Sequence, residues 1–509
     1  MSSFDFELPS SPHLPILLAI SLILLFAYLF TSRRSVALTP TSLSAPPPPP
    51  LVDPTRLPSK LDRTNVRDTF LACRSLNGSV FRALEPNFAT ITYIGDPLTI
   101  KDIIDRPDSF DISSLHTAAA PMWNISLPAG VWFAHTGGQA TLQHSSHLLS
   151  GSRLASLQQR FVAGFKKEFD GIETGDKADM FRLLSECFFQ ATVEALFTTS
   201  FPRGEYDGFL KWDRELNQFC MACPSPAGVA ARDRFYSLAA QQIDEHLSEC
   251  SLQVREQLND VKNKHGQSHA DAVGVVLRTA WLGSTQSPLS GAWLLCSLSQ
   301  NPEKRKKVRD EVRVLKDKLG VSNVEEIASN PEMMKGDNLP VLDSMVQELL
   351  RVYSAQNVPR MCLKDTVVRA MDGPGRIKRY QLKQGDILQL LFWNVHDAQL
   401  NPEWWPEEGG KGEKFRGTLE TFDETRFDRH SGTTKLDGET VKTWTPFGYG
   451  ARVCPGRYWA VAEIKAFVML FLDRFDVEAK GEMPRPDPMR WVGVLHAMDA
   501  MPATVTARS

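Results

Sequence analysis

Residues 445–460 read TPFGYGARVCPGRYWA. A single cysteine, Cys454, follows a loop of aromatic residues and glycines, and Pro455, Gly456 and a helical pattern come straight after it. A cysteine that only fills a core needs no such setting, because a free cysteine packs as a small apolar side chain. Gly448 and Gly450 let the backbone turn sharply and approach a flat partner closely, and Phe447 can pack on that partner's face. Gly456 leaves room beside the sulfur. The following helix aims its N-terminal dipole and free N–H groups at the sulfur, which favours thiolate over thiol.

A thiolate in an apolar, donor-rich cradle suits axial ligation of a heme iron. Phe447, Gly450, Arg452, Cys454 and Gly456 match the FxxGxRxCxG loop of the cytochrome P-450 family, the heme-thiolate monooxygenases, and the chain resembles that family. The CxG ending excludes the CxxCH pattern of c-type heme attachment. The resemblance implies heme b as cofactor, with Cys454 as the axial iron ligand and Phe447, Gly450 and Gly456 in the binding loop. It implies Arg452 as the first cationic partner of the heme propionates, and Arg360, in NVPRMCLKD, as the second.

Glu348 and Arg351 form an ExxR pair, three apart and so on one face of a helix. By itself that spacing is also what a surface ion pair shows. By the resemblance, Arg426 in FDETRFDR completes a structural Glu348–Arg351–Arg426 network that braces the heme-binding core. The stretch NVHDAQLNPEWWPEE at 394–408 is similar to the family's run from an extended strand to that arginine segment, and the likeness continues from about residue 280 to 505. The fold implied is mainly α with small β-sheets, an α+β cytochrome P-450 fold.

The chain departs from the family in two places. A tryptophan-containing propionate helix is not recognisable near residues 140–155, where His144, His147 and Arg153 read as surface residues. On the distal side, where the family carries a threonine that helps deliver protons during oxygen activation, the chain reads Leu282-Gly283-Ser284-Thr285-Gln286. Pro288 removes the helical donor for the Ser284 carbonyl and kinks the helix. Gln286, Thr285 and Ser287 are therefore the candidate distal relay, with Ser284 helping to hold water. A distal amide followed by proline is similar to the branch that holds sterol 7α- and 12α-hydroxylases and prostacyclin synthase, as are LLRVYSAQNVPR and DPMRWVGVL.

The rest of the 509 residues sets the context. Hydrophobic content of 42% and charged content of 23% suit a large core, and a net charge of −3 leaves no electrostatic footprint for nucleic acid. Residues 14–30, LPILLAISLILLFAYLF, carry no charge and would span about 25 Å as a helix, close to a thin bilayer core. Asp5 and Glu7 precede this run and Arg33 and Arg34 follow it, which favours an uncleaved single-pass anchor in the endoplasmic reticulum with the body cytosolic. The expected division is an anchor over 1–35, a Pro-rich linker over 36–55 that holds the body off the membrane, and a catalytic domain over 56–509. The eight cysteines show no disulfide spacing. Cys220 and Cys223 form a lone CxxC without a second ligand pair, and the sequons at Asn77 and Asn124 stay unmodified on the cytosolic side.

Helical periodicity is expected over 151–169, 178–197, 233–263, 277–299 and 339–353, and strands over 90–95, 367–371 and 386–393. The apolar segments around Trp293, Val358 and Trp491 to Leu495 are candidate pocket walls. No GxGxxG follows a strand, so electrons have to come from a separate NADPH-dependent flavoprotein reductase. The function expected is oxidation of a lipophilic, sterol-like or terpenoid substrate using dioxygen. Two alternatives stay open: an isomerase of an oxygenated lipid that needs no reductase, and a non-catalytic heme or lipid-binding protein.

Overall fold

The computed structural model describes residues 46–53, 66–84, 90–220, 223–371, 376–396, 427, 432–488, 490 and 492–508. Two helices form its axis. The central helix, His269–Ser299, starts at Ser268, whose hydroxyl accepts the Asp271 N–H at 3.1 Å. It stops where Asn301 and Pro302 cap and open the next helix. The post-cysteine helix, Arg457–Arg474, starts at Gly456. Both are buried on nearly all sides, as their apolar composition requires.

The helices Gly151–Asp170 and Met180–Leu196 complete a four-layer core around this axis. Its centre is aromatic: the Phe467 ring lies 4.6 Å from Phe188 and 4.8 Å from Phe165. Gly291 makes this closeness feasible, because a Cβ there would come within 2.7 Å of Phe188 and 2.9 Å of Phe467. The expected helix over 233–263 is two, Pro226–His246 and Leu252–Asn259, since the Ser251 hydroxyl caps the second.

One six-stranded sheet, counted among the described residues, runs Val80–Leu84, Thr90–Ile94, Ile387–Leu391, Ser354–Cys362, Val492–Val494, with Phe110–Asp111 also paired to Ser354–Cys362. Thr90–Ile94 and Ile387–Leu391 are parallel and the other pairs antiparallel. Ser354–Cys362 follows directly on the helix Pro340–Tyr353. It therefore carries Arg360 into register with Leu388, and Met361 beside Asp111. The strand expected over 386–393 ends at Leu391, and Phe392–His396 turns helical, which buries His396.

The Pro-rich segment requires a correction. Residues 46–53 belong to the folded body rather than to a free spacer ending near residue 55. The Val52 N–H donates to the Arg82 carbonyl and the Arg82 N–H to the Pro50 carbonyl, both at 2.8 Å, while the Gln381 N–H donates to the Pro47 carbonyl at 2.9 Å. Prolines lack donors but keep acceptors, so such a run can anneal along a sheet edge. The apolar run 14–30 lies outside the described residues, and among the described residues no helix is long and apolar enough to cross a membrane.

Candidate active site at the Cys454 loop

The loop is held from behind. The Thr445 N–H donates to His396 Nε2 at 3.2 Å, and Trp444 Nε1–H to Gln347 Oε1 at 2.9 Å. Gly448 and Gly450 have φ of +68° and +75°, the left-handed region that favours glycine. The Cys454 N–H closes the loop onto the Phe447 carbonyl at 2.9 Å. Phe447 is partly buried against the main core. A Cβ on Gly456 would meet only ordinary contacts, 3.8 Å from Leu149 and 4.0 Å from the sulfur. Protein atoms alone do not demand glycine there.

Burial pushes the Cys454 thiol up, while the N–H groups of Gly456 and Arg457 and the charges of Arg457 and Arg278 work against that. The donors that can hold a sulfur's charge are therefore in place around Cys454.

Behind the loop, Glu348 and Arg351 are fully buried and paired through two contacts of 2.7 Å. Their i,i+3 spacing on one helix forms the fork. Burial, with the Arg351 charge second, holds His396 down to about 3, so its ring is neutral and free to accept from Thr445. Arg351 Nη1 has no partner among the described residues. Arg426, the expected third member of the network, lies outside them.

Three guanidiniums meet in front of the loop. Arg360 is buried, donates among the described residues only to its neighbour's carbonyl on Pro359 at 2.8 Å, and is pushed down to about 10, first by burial and then by Arg452. Arg452 Nη2 stands 4.0 Å from Asp111. Asp111 stays below its ordinary range despite burial, because Ser113 donates to it and Arg452 faces it. The third is Arg278 of the central helix, which the sequence reading missed. It is half-buried against the rings of Phe133 and Trp123, 5.1 and 5.3 Å away.

On the opposite side, the structure does not bring the three relay candidates together. Consecutive helical residues diverge by about 100°, and each of the three finds a different partner. Thr285 donates to the Trp281 carbonyl at 2.8 Å and lies 3.5 Å from Asp213. Gln286 Oε1 accepts the Val494 N–H at 2.6 Å, which fixes its Nε2 as the free donor end. Gly493, at φ +76°, admits this contact, since a Cβ there would fall 2.2 Å from Gln286 Oε1. Ser287 faces the Glu463 carboxyl without completing a hydrogen bond. The helix runs on through Pro288, and Ser284 Oγ is buried without a partner.

Glu463 is fully buried, neither carboxyl oxygen has a partner among the described residues, and burial drives its pKa well up, so it holds a proton. Sequence reasoning missed it, although a lone glutamate in the apolar run RYWAVAEIKAFVML is a signal. It also missed Asp213, Arg490 and His496. Arg490 Nη1 and His496 Nε2 each lie 2.7 Å from Asp213. Burial alone would raise the Asp213 carboxyl, but Arg490 and His496 hold it well below the carboxylate range.

Two further expectations change. Trp293 is no pocket wall: it is fully buried, stacks on Tyr353 with centroids 4.0 Å apart, and donates Nε1–H to the Leu495 carbonyl at 2.8 Å. His144 is half-buried, its Nε2 without a partner among the described residues, while His147 and Arg153 are exposed. Val358 is partly buried against the sheet's own core, and Trp491 lies outside the described residues.

A half-buried sulfur with N–H donors behind it and a surplus of cations at the rim fits a planar, metal-centred group that carries carboxylates. A sequence model of the family described as Cytochrome P450 matches residues 153–501. The 5-beta-cholestane-3-alpha,7-alpha-diol 12-alpha-hydroxylase of Sus scrofa is 31% identical over 221 residues, 42% of this chain and 40% of that protein. The Prostacyclin synthase of Bos taurus is 31% identical over 205 residues, 39% of this chain and 37% of its own. The 25-hydroxycholesterol 7-alpha-hydroxylase of Rattus norvegicus is 23% identical over 354 residues, 66% and 81% of the two chains. The chain thus spans about two fifths of the length of the first of these relatives.

Proposed function

Because the chain belongs to the cytochrome P450 family, whose cofactor is a thiolate-ligated heme, we propose that it is a monooxygenase acting on a sterol-like lipophilic substrate. The observation that carries this reading is the pairing of the donor-backed Cys454 sulfur with the cations Arg360 and Arg452. The relatives named as sterol hydroxylases support the substrate class.

When bound, the heme supplies dioxygen activation and oxygen insertion into a C–H bond. The chain supplies the setting. Cys454 Sγ would hold the iron as a thiolate, and the Gly456 and Arg457 N–H groups would hold its charge. Arg452 and Arg360 hold the propionates. Glu463 stores a proton beside Ser287, one residue from Gln286, whose Nε2–H is aimed by the Val494 anchor and can position a water. Glu348 and Arg351 sit in the helix whose Gln347 holds Trp444, and the Arg351 charge acts on His396, the acceptor of the Thr445 N–H. Electrons come from an NADPH-dependent flavoprotein reductase, and residues 14–30 anchor the chain in the endoplasmic reticulum membrane.

Isomerisation of an oxygenated lipid is the second reading, supported by Gln286 in place of a hydroxyl and by the likeness to Prostacyclin synthase. The test is turnover by the purified full chain on a panel of sterols and of lipid endoperoxides, with and without reductase and NADPH. Hydroxylated sterol that depends on both is expected, together with a red-shifted Soret band in the carbon monoxide spectrum of the reduced protein that Cys454→Ala abolishes. Endoperoxide turnover without reductase would replace the monooxygenase by the isomerase. The band without turnover of either substrate class would leave a heme-binding protein.

A further inference from the structure

Arg278 sits in the central helix, eight residues before Gln286, about 12 Å along the axis. Among the described residues it meets no hydrogen-bond acceptor or carboxylate; its contacts are the faces of Trp123 and Phe133. Burial, with Arg452 second, pushes its guanidinium down to about 10, while the Cys454 sulfur pulls the other way. A guanidinium lodged between two aromatic rings without an anion is an unfinished site, since buried cations are ordinarily paired.

Its place can be fixed from two directions. Phe133, whose ring it faces, begins the turn that leads into the helix Gly138–Leu148. A Cβ on Gly138 would lie 2.3 Å from the Phe133 carbonyl and 3.6 Å from Arg452 Nη1. The Phe133 turn therefore abuts Arg452, and Arg278 reaches the same rim as Arg452 and Arg360. This is also the stretch where the family's propionate helix is not recognisable in the sequence. The charges set the occupant: among the described residues, three arginines, Arg278, Arg360 and Arg452, share the rim with one carboxylate, Asp111. The two surplus positive charges equal the two propionates of one heme.

We infer that Arg278 is a carboxylate-binding residue that pairs with a heme propionate from the central-helix side, in place of a cation from Gly138–Leu148. The inference rests on the heme reading above. Asp111 neutralises one arginine and the propionates the other two, so the rim carries no net charge once heme is bound. A carboxylate on the substrate is the other source of the same chemistry, and the charge count argues against it.

The experiment compares the full-length holoprotein with Arg278→Gln and Arg278→Lys. Heme transfer to excess apomyoglobin should quicken about ten-fold in the glutamine variant, the loss of one charge-assisted contact, and less in the lysine variant. The propionate-bending mode in the resonance Raman spectrum should shift in both. Spectral titration with lauric acid and methyl laurate should weaken equally, or not at all. An unchanged transfer rate and Raman mode would overturn the inference. A selective loss of lauric acid affinity with unchanged heme retention would also overturn it, because the carboxylate would then belong to the substrate. If Arg278→Gln does not fold, the Raman shift in Arg278→Lys decides. A parent protein with no thiolate-type Soret band would sink the heme reading itself; a normal parent band with an unmoved Arg278 readout sinks only this inference.

Discussion

The two sides of the site are assembled differently. On the cysteine side, the sulfur and the loop that carries it lie within 447–456, and the buried ion pair behind them is an i,i+3 pair on one helix. On the opposite side, Thr285, Gln286 and Ser287 meet groups from positions 213, 494 and 463, and Asp213 in turn holds Arg490 and His496. Both sides hold buried charge. One cluster is built by local geometry, the other by chain segments more than 270 residues apart. A local pair keeps its spacing whatever surrounds it, so it leaves a motif. A long-range cluster exists only after folding, so its members look like ordinary surface residues until then.

The sharpest way to test this difference is to break each cluster. Arg351→Ala breaks the buried Glu348–Arg351 pair, at a cost of about 3–5 kcal/mol. It also removes the support of the Cys454 loop, so little heme-loaded protein should form, measured as Soret absorbance per unit protein. Normal heme loading would mean the brace does not hold the loop.

Asp213→Asn is the counterpart on the far side. It keeps the shape and one acceptor but leaves Arg490 and His496 without a counter-charge, at roughly 1.5–3 kcal/mol, the worth of hydrogen bonds to a charged group. The melting temperature should fall while heme loading survives, because this cluster touches Thr285 and not the cysteine loop. Equal loss of heme in the two variants would erase the distinction between the sides.

What was legible in the sequence follows the same division. The FxxGxRxCxG loop, the ExxR helix and the central helix were all visible, because each is defined by a spacing within one element, whereas Arg360 came only from the resemblance. The docking of residues 46–53 was not, since proline-rich runs read as extended whether or not a sheet edge accepts them. The three-way divergence of Thr285, Gln286 and Ser287 follows from 3.6 residues per turn, but their partners do not. Arg278 was hidden because a lone arginine in an apolar helix gives no hint of what it faces. Glu463 was visible as an oddity and was passed over.

Titration offers a gentler probe, with opposite signs on the two sides. Burial depresses His396 to about 3 in the fold against an ordinary 6.5, so protons bind the unfolded chain first. Its contribution is complete above pH 6.5 and declines as pH falls toward 3, by at most about 1.4 kcal/mol per pH unit. Glu463 is raised, so its contribution is complete below 4.5 and declines as pH rises above that. His396→Gln, which can still accept from Thr445, should flatten the acid limb of a melting-temperature profile. Glu463→Gln should flatten the alkaline limb and raise stability near pH 8. Unchanged limbs would mean that these two groups are not what the fold titrates.

The smallest effect separates two roles within one side chain. Gln286 Oε1 is committed to the Val494 N–H, which leaves Nε2–H as the end that can hold a water on the distal side. Gln286→Glu keeps the acceptor, so the strand Val492–Val494 should stay docked and the melting temperature should hold. It loses the donor, and the loss of one hydrogen bond of about 1 kcal/mol corresponds to roughly a five-fold change. Product per NADPH should therefore fall about five-fold, with the missing electrons recovered as hydrogen peroxide. Gln286→Leu loses both ends. It should show the same uncoupling and, in addition, a stability loss of about 1–3 kcal/mol from the orphaned Val494 N–H. If the glutamate variant stays coupled while the leucine variant only melts lower, Gln286 is an anchor for the strand and the proton supply runs without it. If both uncouple and only leucine melts lower, the two ends of the amide have separate duties: one joins the distal helix to the sheet, and the other serves the chemistry.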